Sequence, residues 1–186
     1  VDPKTGQVNL KYNPLPVWKN TPIPLLDGRT LTIEELSKEF DSGKQNFVYS
    51  VQDETNKIVP GKVIWCGKNY NAKILTKVWL DDNTWVLTAP EHPFVLRNGS
   101  CKRADELLEG DALMPFYTKK EPLFKKYNKT KEYLQVYNPG SGKYEFVHRL
   151  VAAEIEKDNE DYNTIHHKNF QKFDNSPLNL EWVDFH

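Results

Sequence analysis

The sequence has no hydrophobic run long enough to span a membrane, and it contains very little cysteine. No stretch approaches the roughly 18 apolar residues that a spanning helix needs, and no basic segment followed by an apolar one opens the chain as in a signal peptide. The two cysteines, Cys66 and Cys101, are too few for a disulfide framework or a zinc site. We therefore expect a cytoplasmic protein with no membrane partner and small, buried thiols.

The chain also lacks internal repeats and low-complexity tracts. Its 186 residues are 38% hydrophobic and 27% charged, which predicts folded, globular structure with one ordinary domain or two small ones. The formal net charge of −1 says little about partners, but its distribution is uneven. One glutamate accompanies a run of lysines with interleaved aromatic residues: Lys119, Lys120, Lys125, Lys126, Lys129 and Lys131. Such a run suits a phosphate backbone, and a solvated linker explains it equally well.

Residues 21–117 read as many short strands separated by turns. Strands are expected at 47–51, 62–66, 72–80, 84–87, 93–96 and 111–117. Thr32, three residues before Glu35, fits a capping box and predicts a short helix that ends near Phe40. A second short helix is expected at 103–108. This pattern is typical of a compact, mainly β domain, preceded by a leader at 1–20 that pairs with a sheet edge or lies outside the fold.

The pattern changes after a predicted basic linker at 118–131. In residues 132–186 we expect a hairpin at 133–147, a helix at 148–156, and short strands at 164–167 and 180–183. A polar, asparagine-rich loop joins the last two strands. Strand, loop and strand, with a helix to follow, is the outline of a small ββα unit.

His166 and His167 are the candidate chemical groups of this second region. Phosphodiester hydrolysis needs an activated water and a cation at the leaving oxygen, and a histidine can serve as the base. Neighbouring strand residues point to opposite faces, so the two histidines are expected to have different tasks. For a bare pair of histidines, ordinary packing or surface roles would be the better interpretation.

A longer pattern surrounds this pair. It comprises Phe146-Val147-His148-Arg149-Leu150-Val151, then Ile165-His166-His167, then Asp174-Asn175-Ser176-Pro177-Leu178-Asn179-Leu180-Glu181-Trp182. This pattern resembles the HNH homing endonucleases of phage introns and inteins over about the last third of the chain. The resemblance implies that double-stranded DNA is the substrate and that a divalent metal, Mg²⁺ by preference, is the cofactor.

The resemblance also implies roles for individual residues. His167 corresponds to the general base and His166 to a metal ligand, while Asn175 or Asn179 braces the loop. The family's last ligand lies on the helix after the second strand, and His186 is a possible stand-in. Arg149 joins the lysines as an expected phosphate contact.

His92 is the candidate group of the first region, in a tight element between two prolines. A histidine there can protonate an amide nitrogen, although a lone histidine is more often structural. The surrounding pattern includes Thr21-Pro22-Ile23-Pro24-Leu25-Leu26-Asp27-Gly28, Ala89-Pro90-Glu91-His92-Pro93-Phe94 and Glu106-Leu107-Leu108-Glu109-Gly110-Asp111. It resembles the Hint domain of inteins over residues 16–117. The resemblance implies that His92 activates a scissile peptide.

Two departures from the intein pattern bear on splicing. The nucleophile, Cys or Ser, should stand five residues before Thr21, where this chain has Pro16. Proline has neither a side-chain nucleophile nor an N–H, so an acyl shift there is impossible. The terminal His-Asn pair is also missing, so we expect no splicing by this chain alone; a complementary C-terminal intein fragment would have to supply it.

Together these patterns predict an intein-derived homing endonuclease: a mainly β Hint domain followed by a small α+β HNH module. The alternatives are a partial splicing element with an inactive nuclease and a DNA-binding remnant without catalysis. A Hint–nuclease toxin is a weaker alternative. The expected location is the cytoplasm of a bacterial or phage-infected cell.

Overall fold

The structure is a computed structural model that describes residues 17–52, 54–68, 73–122 and 132–184, and it is mainly β. The described strands are β1 (Pro22–Pro24), β2 (Thr30–Thr32), β3 (Phe47–Val51), β4 (Ile58–Lys62), β5 (Thr76–Trp79), β6 (Trp85–Thr88), β7 (Pro93–Val95), β8 (Cys101–Arg103), β9 (Thr118–Pro122), β10 (Glu132–Asn138), β11 (Lys143–Phe146), β12 (Thr164–His167) and β13 (Leu180–Val183). The helices are α1 (Ile33–Asp41), α2 (Val147–Ala152) and a 3-10 turn (Ala104–Glu106). None of the described helices is long and apolar enough to cross a membrane.

The chain divides into two compact units that interleave along the sequence. The first contains the described residues of Val1–Ile23, Thr30–Gln45 and Val63–Pro115. The second contains those of Pro24–Arg29, Asn46–Lys62 and Phe116–His186.

The first unit is a set of two-stranded hairpins with one amphipathic helix. Strand β5 pairs with β6 and β7 pairs with β8, both antiparallel. Helix α1 begins at the predicted capping box: the Thr32 hydroxyl accepts from the Glu35 N–H at 3.2 Å, and the Glu35 carboxylate accepts from the Thr32 N–H at 2.8 Å. Two of the four backbone N–H groups that lack a partner at the helix start are thereby satisfied, and the predicted helix is confirmed.

Several strand boundaries of the first region were predicted wrongly. Strand β4 ends at Lys62, so the expected strand at 62–66 does not form. Residues 111–117 contribute one isolated bridge, Leu96 to Leu113, in place of a strand. The expected helix at 103–108 is reduced to the 3-10 turn. Short apolar runs next to glycines fit both a strand and an irregular segment, so local pattern does not distinguish them.

The second unit is assembled around one apolar cluster. Its buried members come from distant parts of the chain: Leu26, Ile58, Val136, Val147, Val151 and Leu180. The β3–β4 hairpin supplies Ile58 and packs Phe47, Tyr49 and Val51 against the cluster. Residues 46–62 therefore belong with residues 116–186, and the division of the chain at residue 117 was wrong. Alternating apolar residues predict a strand but not the core that its buried face joins.

The predicted linker at 118–131 begins as a strand. Thr118–Pro122 forms β9, which pairs antiparallel with β10, and β11 completes this three-stranded sheet. Lys119 lies opposite Gln135 and Lys120 opposite Leu134. Charged edge strands of this kind lack the apolar signal on which strand prediction depends. Lys125, Lys126, Lys129 and Lys131 lie outside the described residues.

The hairpin β10–β11 and the strands β12 and β13 lie where they were predicted. Helix α2 is shorter than the expected 148–156 and ends at Ala152. The Trp182 indole N–H donates to the carbonyls of Ala152 at 3.1 Å and Ile155 at 3.3 Å. A side chain from β13 thus satisfies carbonyls that a longer helix would have bonded internally.

Candidate functional site

Strands β12 and β13 place the two candidate histidines on opposite faces of an antiparallel pair. His166 lies opposite Glu181 and His167 opposite Leu180. His167 is buried, with 6% of its surface exposed, while His166 is partly exposed. The alternation expected of a strand therefore assigns one histidine to the interior and the other to the surface.

His167 is held by Asn175 from the loop that joins the two strands. The distance from His167 Nε2 to Asn175 Oδ1 is 3.2 Å. Asn175 is 1% exposed, and its Nδ2 donates to the Phe173 carbonyl at 3.2 Å, which fixes Oδ1 as the acceptor. Nε2 must then carry the proton, so in neutral His167 the lone pair belongs to Nδ1. The asparagine selects the tautomer of the histidine.

The surroundings of His167 favour its neutral form. Burial lowers the pKa of His167, and the hydrogen bond to Asn175 opposes that shift only in part. At neutral pH the ring is therefore unprotonated, as a general base must be.

The loop is braced by the two asparagines that the sequence singled out. The backbone N–H of Asn175 donates to the Leu26 carbonyl at 2.7 Å. Asn179 is 8% exposed; its Nδ2 donates to the Asp174 carbonyl at 2.8 Å, and its Oδ1 accepts from the Asn169 N–H at 3.0 Å. These bonds close the loop on itself and hold Asn175 beneath His167.

His148 is part of this site, although the sequence analysis assigned it no role beyond its place in the HNH-like pattern. Its ring lies 4.9 Å from Tyr133, 5.6 Å from Phe146 and 5.7 Å from His167, measured between ring centroids. It is 4% exposed, and its Nδ1 has no hydrogen-bond partner among the residues that the structure describes. Burial lowers the pKa of His148 to about 3, and repulsion from His167 when that ring is protonated and from the Arg149 guanidinium adds to the effect.

His166 faces the surface and pairs with a carboxylate. His166 Nδ1 lies 2.8 Å from Glu181 Oε1 across the strand pair. Within the described ranges, no three His, Cys, Asp or Glu side chains cluster closely enough to hold a metal ion. His166 and Glu181 could supply two ligands of a divalent cation, and His186, the third candidate, lies outside the described residues.

Cationic side chains of the second unit lie over aromatic rings. The charged groups of Lys119, Lys120 and Arg149 lie 4.4 Å from Tyr144, 4.8 Å from Phe173 and 5.5 Å from Phe146, respectively, measured to the ring centroids. Lys172, which the sequence did not single out, lies 4.7 Å from the Tyr133 ring. A ring beneath a cation limits its conformations and leaves the charge available to solvent or to a phosphate.

His92 occupies a tight turn in the first unit. Its backbone N–H donates to the Ala89 carbonyl at 3.1 Å, its carbonyl accepts from the Ala104 N–H at 2.9 Å, and its ring meets the Phe94 ring at 5.5 Å. Val17 bridges to the buried Thr88, so the chain at residue 17 runs beside the strand that leads into this turn. Pro16 lies outside the described residues.

Comparison with known proteins gives one extended similarity. No protein-family model matches the chain. The B subunit of DNA gyrase from Synechocystis sp. is 35% identical to it over 167 residues, which is 87% of this chain. The chain spans only 15% of the length of that protein. The similarity therefore concerns a segment of the larger protein.

Proposed function

We propose that this chain is an intein-derived DNA endonuclease, in which an HNH-type module acts from a Hint-like scaffold. The observation that carries the proposal is the buried His167, whose tautomer and neutral form are set by Asn175 and by burial. The similarity to a segment of the DNA gyrase B subunit supports the intein origin, because that protein carries inteins in some species.

In this proposal His167 acts as the general base. Its Nδ1 removes a proton from water, and the water oxygen attacks phosphorus as the bond to the leaving oxygen breaks. The leaving oxygen takes a proton from solvent, and His167 returns its own proton to solvent afterwards. Tyr133 and His148 lie 6.2 and 5.7 Å from the imidazole, measured between ring centroids, and keep water from one side of it, which favours its neutral form.

A divalent cation would stabilise the charge that develops on the phosphate and the leaving oxygen. His166 and Glu181 are the described residues that would hold it, and the proposal requires the phosphate to bind at the end of β12, where His166 and His167 are adjacent. Their imidazole and carboxylate ligands suit Mn²⁺ or a later transition metal as well as Mg²⁺.

The Hint-like unit is proposed as a scaffold without splicing activity. His92 is present, but Pro16 stands where the first acyl shift needs a nucleophile. A histidine cannot activate a peptide bond that has no adjacent nucleophile to receive the acyl group.

Plasmid cleavage tests the proposal. Incubated at low salt with supercoiled plasmid, the protein should convert it to nicked or linear forms in Mg²⁺ or Mn²⁺, and EDTA should stop the conversion. Salt-dependent binding without cleavage would instead identify a DNA-binding remnant, and absence of both would contradict the proposal.

Removing one cationic side chain should weaken binding to DNA of any sequence to a similar extent. Lys120→Gln is expected to lower affinity for unrelated duplexes by a similar factor and to reduce the slope of log affinity against log salt by about one. Lys38→Gln, on the exposed side of α1, is the matched control and should leave the slope unchanged. An unchanged slope in Lys120→Gln would show that this lysine makes no phosphate contact.

A further inference from the structure

Phe170 has an unusual backbone conformation at the tip of the loop between β12 and β13. Its φ is +61°, and the other non-glycine residues with positive φ in the described ranges are Asn56 and Asn83. Asparagine tolerates this left-handed region, whereas a bulky aromatic residue rarely adopts it. The conformation is held by a turn in which the Phe170 N–H donates to the His167 carbonyl at 2.9 Å.

The side chain of Phe170 contributes little to the fold. It is 79% exposed, more than any other large hydrophobic residue in the part of the chain that the structure describes. Its ring meets the edge of the His166 ring at 5.4 Å between centroids. Both the backbone conformation and the exposure of the ring cost free energy, and burial does not offset either cost.

Two lysines flank Phe170 in the sequence, and their ammonium groups lie at the Leu178 carbonyl and over the Tyr133 ring. Lys168 and Lys172 stand two residues before and after Phe170, and both belong to the loop that carries Asn175. The one carboxylate of this loop, Asp174, accepts hydrogen bonds from Asn169 at 2.7 Å and from the Ser176 N–H at 3.2 Å. Two other apolar side chains of this loop are exposed, Leu178 at 59% and Phe173 at 37%, and the Lys120 ammonium group lies 4.8 Å from the centroid of the Phe173 ring. The loop therefore combines exposed apolar groups with cations, as surfaces that kink DNA do.

We propose that Phe170 is a wedge that inserts between neighbouring base pairs of duplex DNA beside the phosphate presented to His167. This inference rests on the endonuclease proposal. Proteins that kink DNA insert exposed apolar side chains into a base step while cations hold the adjacent phosphates. Here the ring contacts His166, the proposed metal ligand, so the base step that it opens is next to the bond that is cut.

A duplex with a single central mismatch tests the wedge, because a mismatched step costs less to unstack than a paired one. In EDTA, to prevent cleavage, the wild-type protein should bind the mismatched duplex roughly tenfold more tightly than the same duplex fully paired. A 2-aminopurine next to the mismatch should gain fluorescence as it unstacks.

Phe170→Gly removes the ring and suits the positive φ, so its thermal stability should equal or exceed that of the wild type. It should bind both duplexes equally and give no fluorescence gain, whereas Phe170→Trp should retain both effects. Leu108→Ala, which removes a side chain that is 72% exposed in the first unit, is the control and should behave as wild type.

The outcomes separate the two proposals. If Phe170→Gly keeps the mismatch preference and the fluorescence gain, the wedge is wrong, and metal-dependent nicking still stands as the test of the endonuclease. If the wild-type protein binds DNA but shows no preference, the wedge is likewise overturned. If the wild-type protein binds neither duplex, both proposals fail.

Discussion

Replacing His167 with glutamine should reduce plasmid nicking at least about a hundredfold, because a positioned general base contributes roughly 10²- to 10⁴-fold to a rate. The amide nitrogen of glutamine can still donate to Asn175 Oδ1 and fill much of the imidazole volume. The variant is therefore expected to fold and to bind DNA with nearly wild-type affinity. His167→Ala would also leave a cavity and an unpaired buried oxygen, so glutamine is the cleaner substitution.

The pH dependence of nicking provides a second readout for His167. Because its pKa is lowered, the base stays neutral below the ordinary histidine value of about 6.5. The acid limb of the rate profile should then lie below that value. Asn175→Ala should lower the rate although His167 is still present, because without the Asn175 Oδ1 acceptor the proton of the neutral imidazole is no longer fixed on Nε2. Full activity in His167→Gln would show that another group removes the proton.

The local elements of this site were predictable from sequence. The pairing of β12 with β13 follows from short apolar segments on either side of an asparagine-rich loop, and the helix cap at Thr32 follows from its spacing to Glu35. Both depend on interactions within a few residues. The sequence spacing also placed Asn175 in the loop near His167, although not its hydrogen bond.

The features that sequence reasoning missed depend on contacts between distant segments. Hairpin β3–β4 joins the second unit because Ile58 packs with Val136 and Leu180 in one cluster. The residues of the hairpin itself do not predict which core it packs against. His148 becomes part of the site because β10 places Tyr133 against it. The sequence analysis did not single out Phe170, because a positive φ cannot be inferred from a phenylalanine in the sequence.

The free energy of unfolding should fall steeply with acid because of His148. The native state keeps this ring neutral down to a pKa of about 3, whereas the unfolded chain protonates it near 6.5. Between these values the unfolded state binds more protons, so stability is lost as the pH falls. The loss from this residue alone is about 1.4 kcal/mol per pH unit, or a few kcal/mol across the window.

His148→Phe should remove that loss, because phenylalanine fills the space between Tyr133, Phe146 and His167 without titrating. It also removes the buried, unpartnered Nδ1, so the variant should be at least as stable as wild type at about pH 7. Urea unfolding from about pH 7 to pH 5 should show its advantage growing as the pH falls through about 6.5, toward a limiting slope of about 1.4 kcal/mol per pH unit. His167 titrates in both proteins, so the difference isolates His148. Parallel pH profiles would mean that His148 takes up a proton in the folded state.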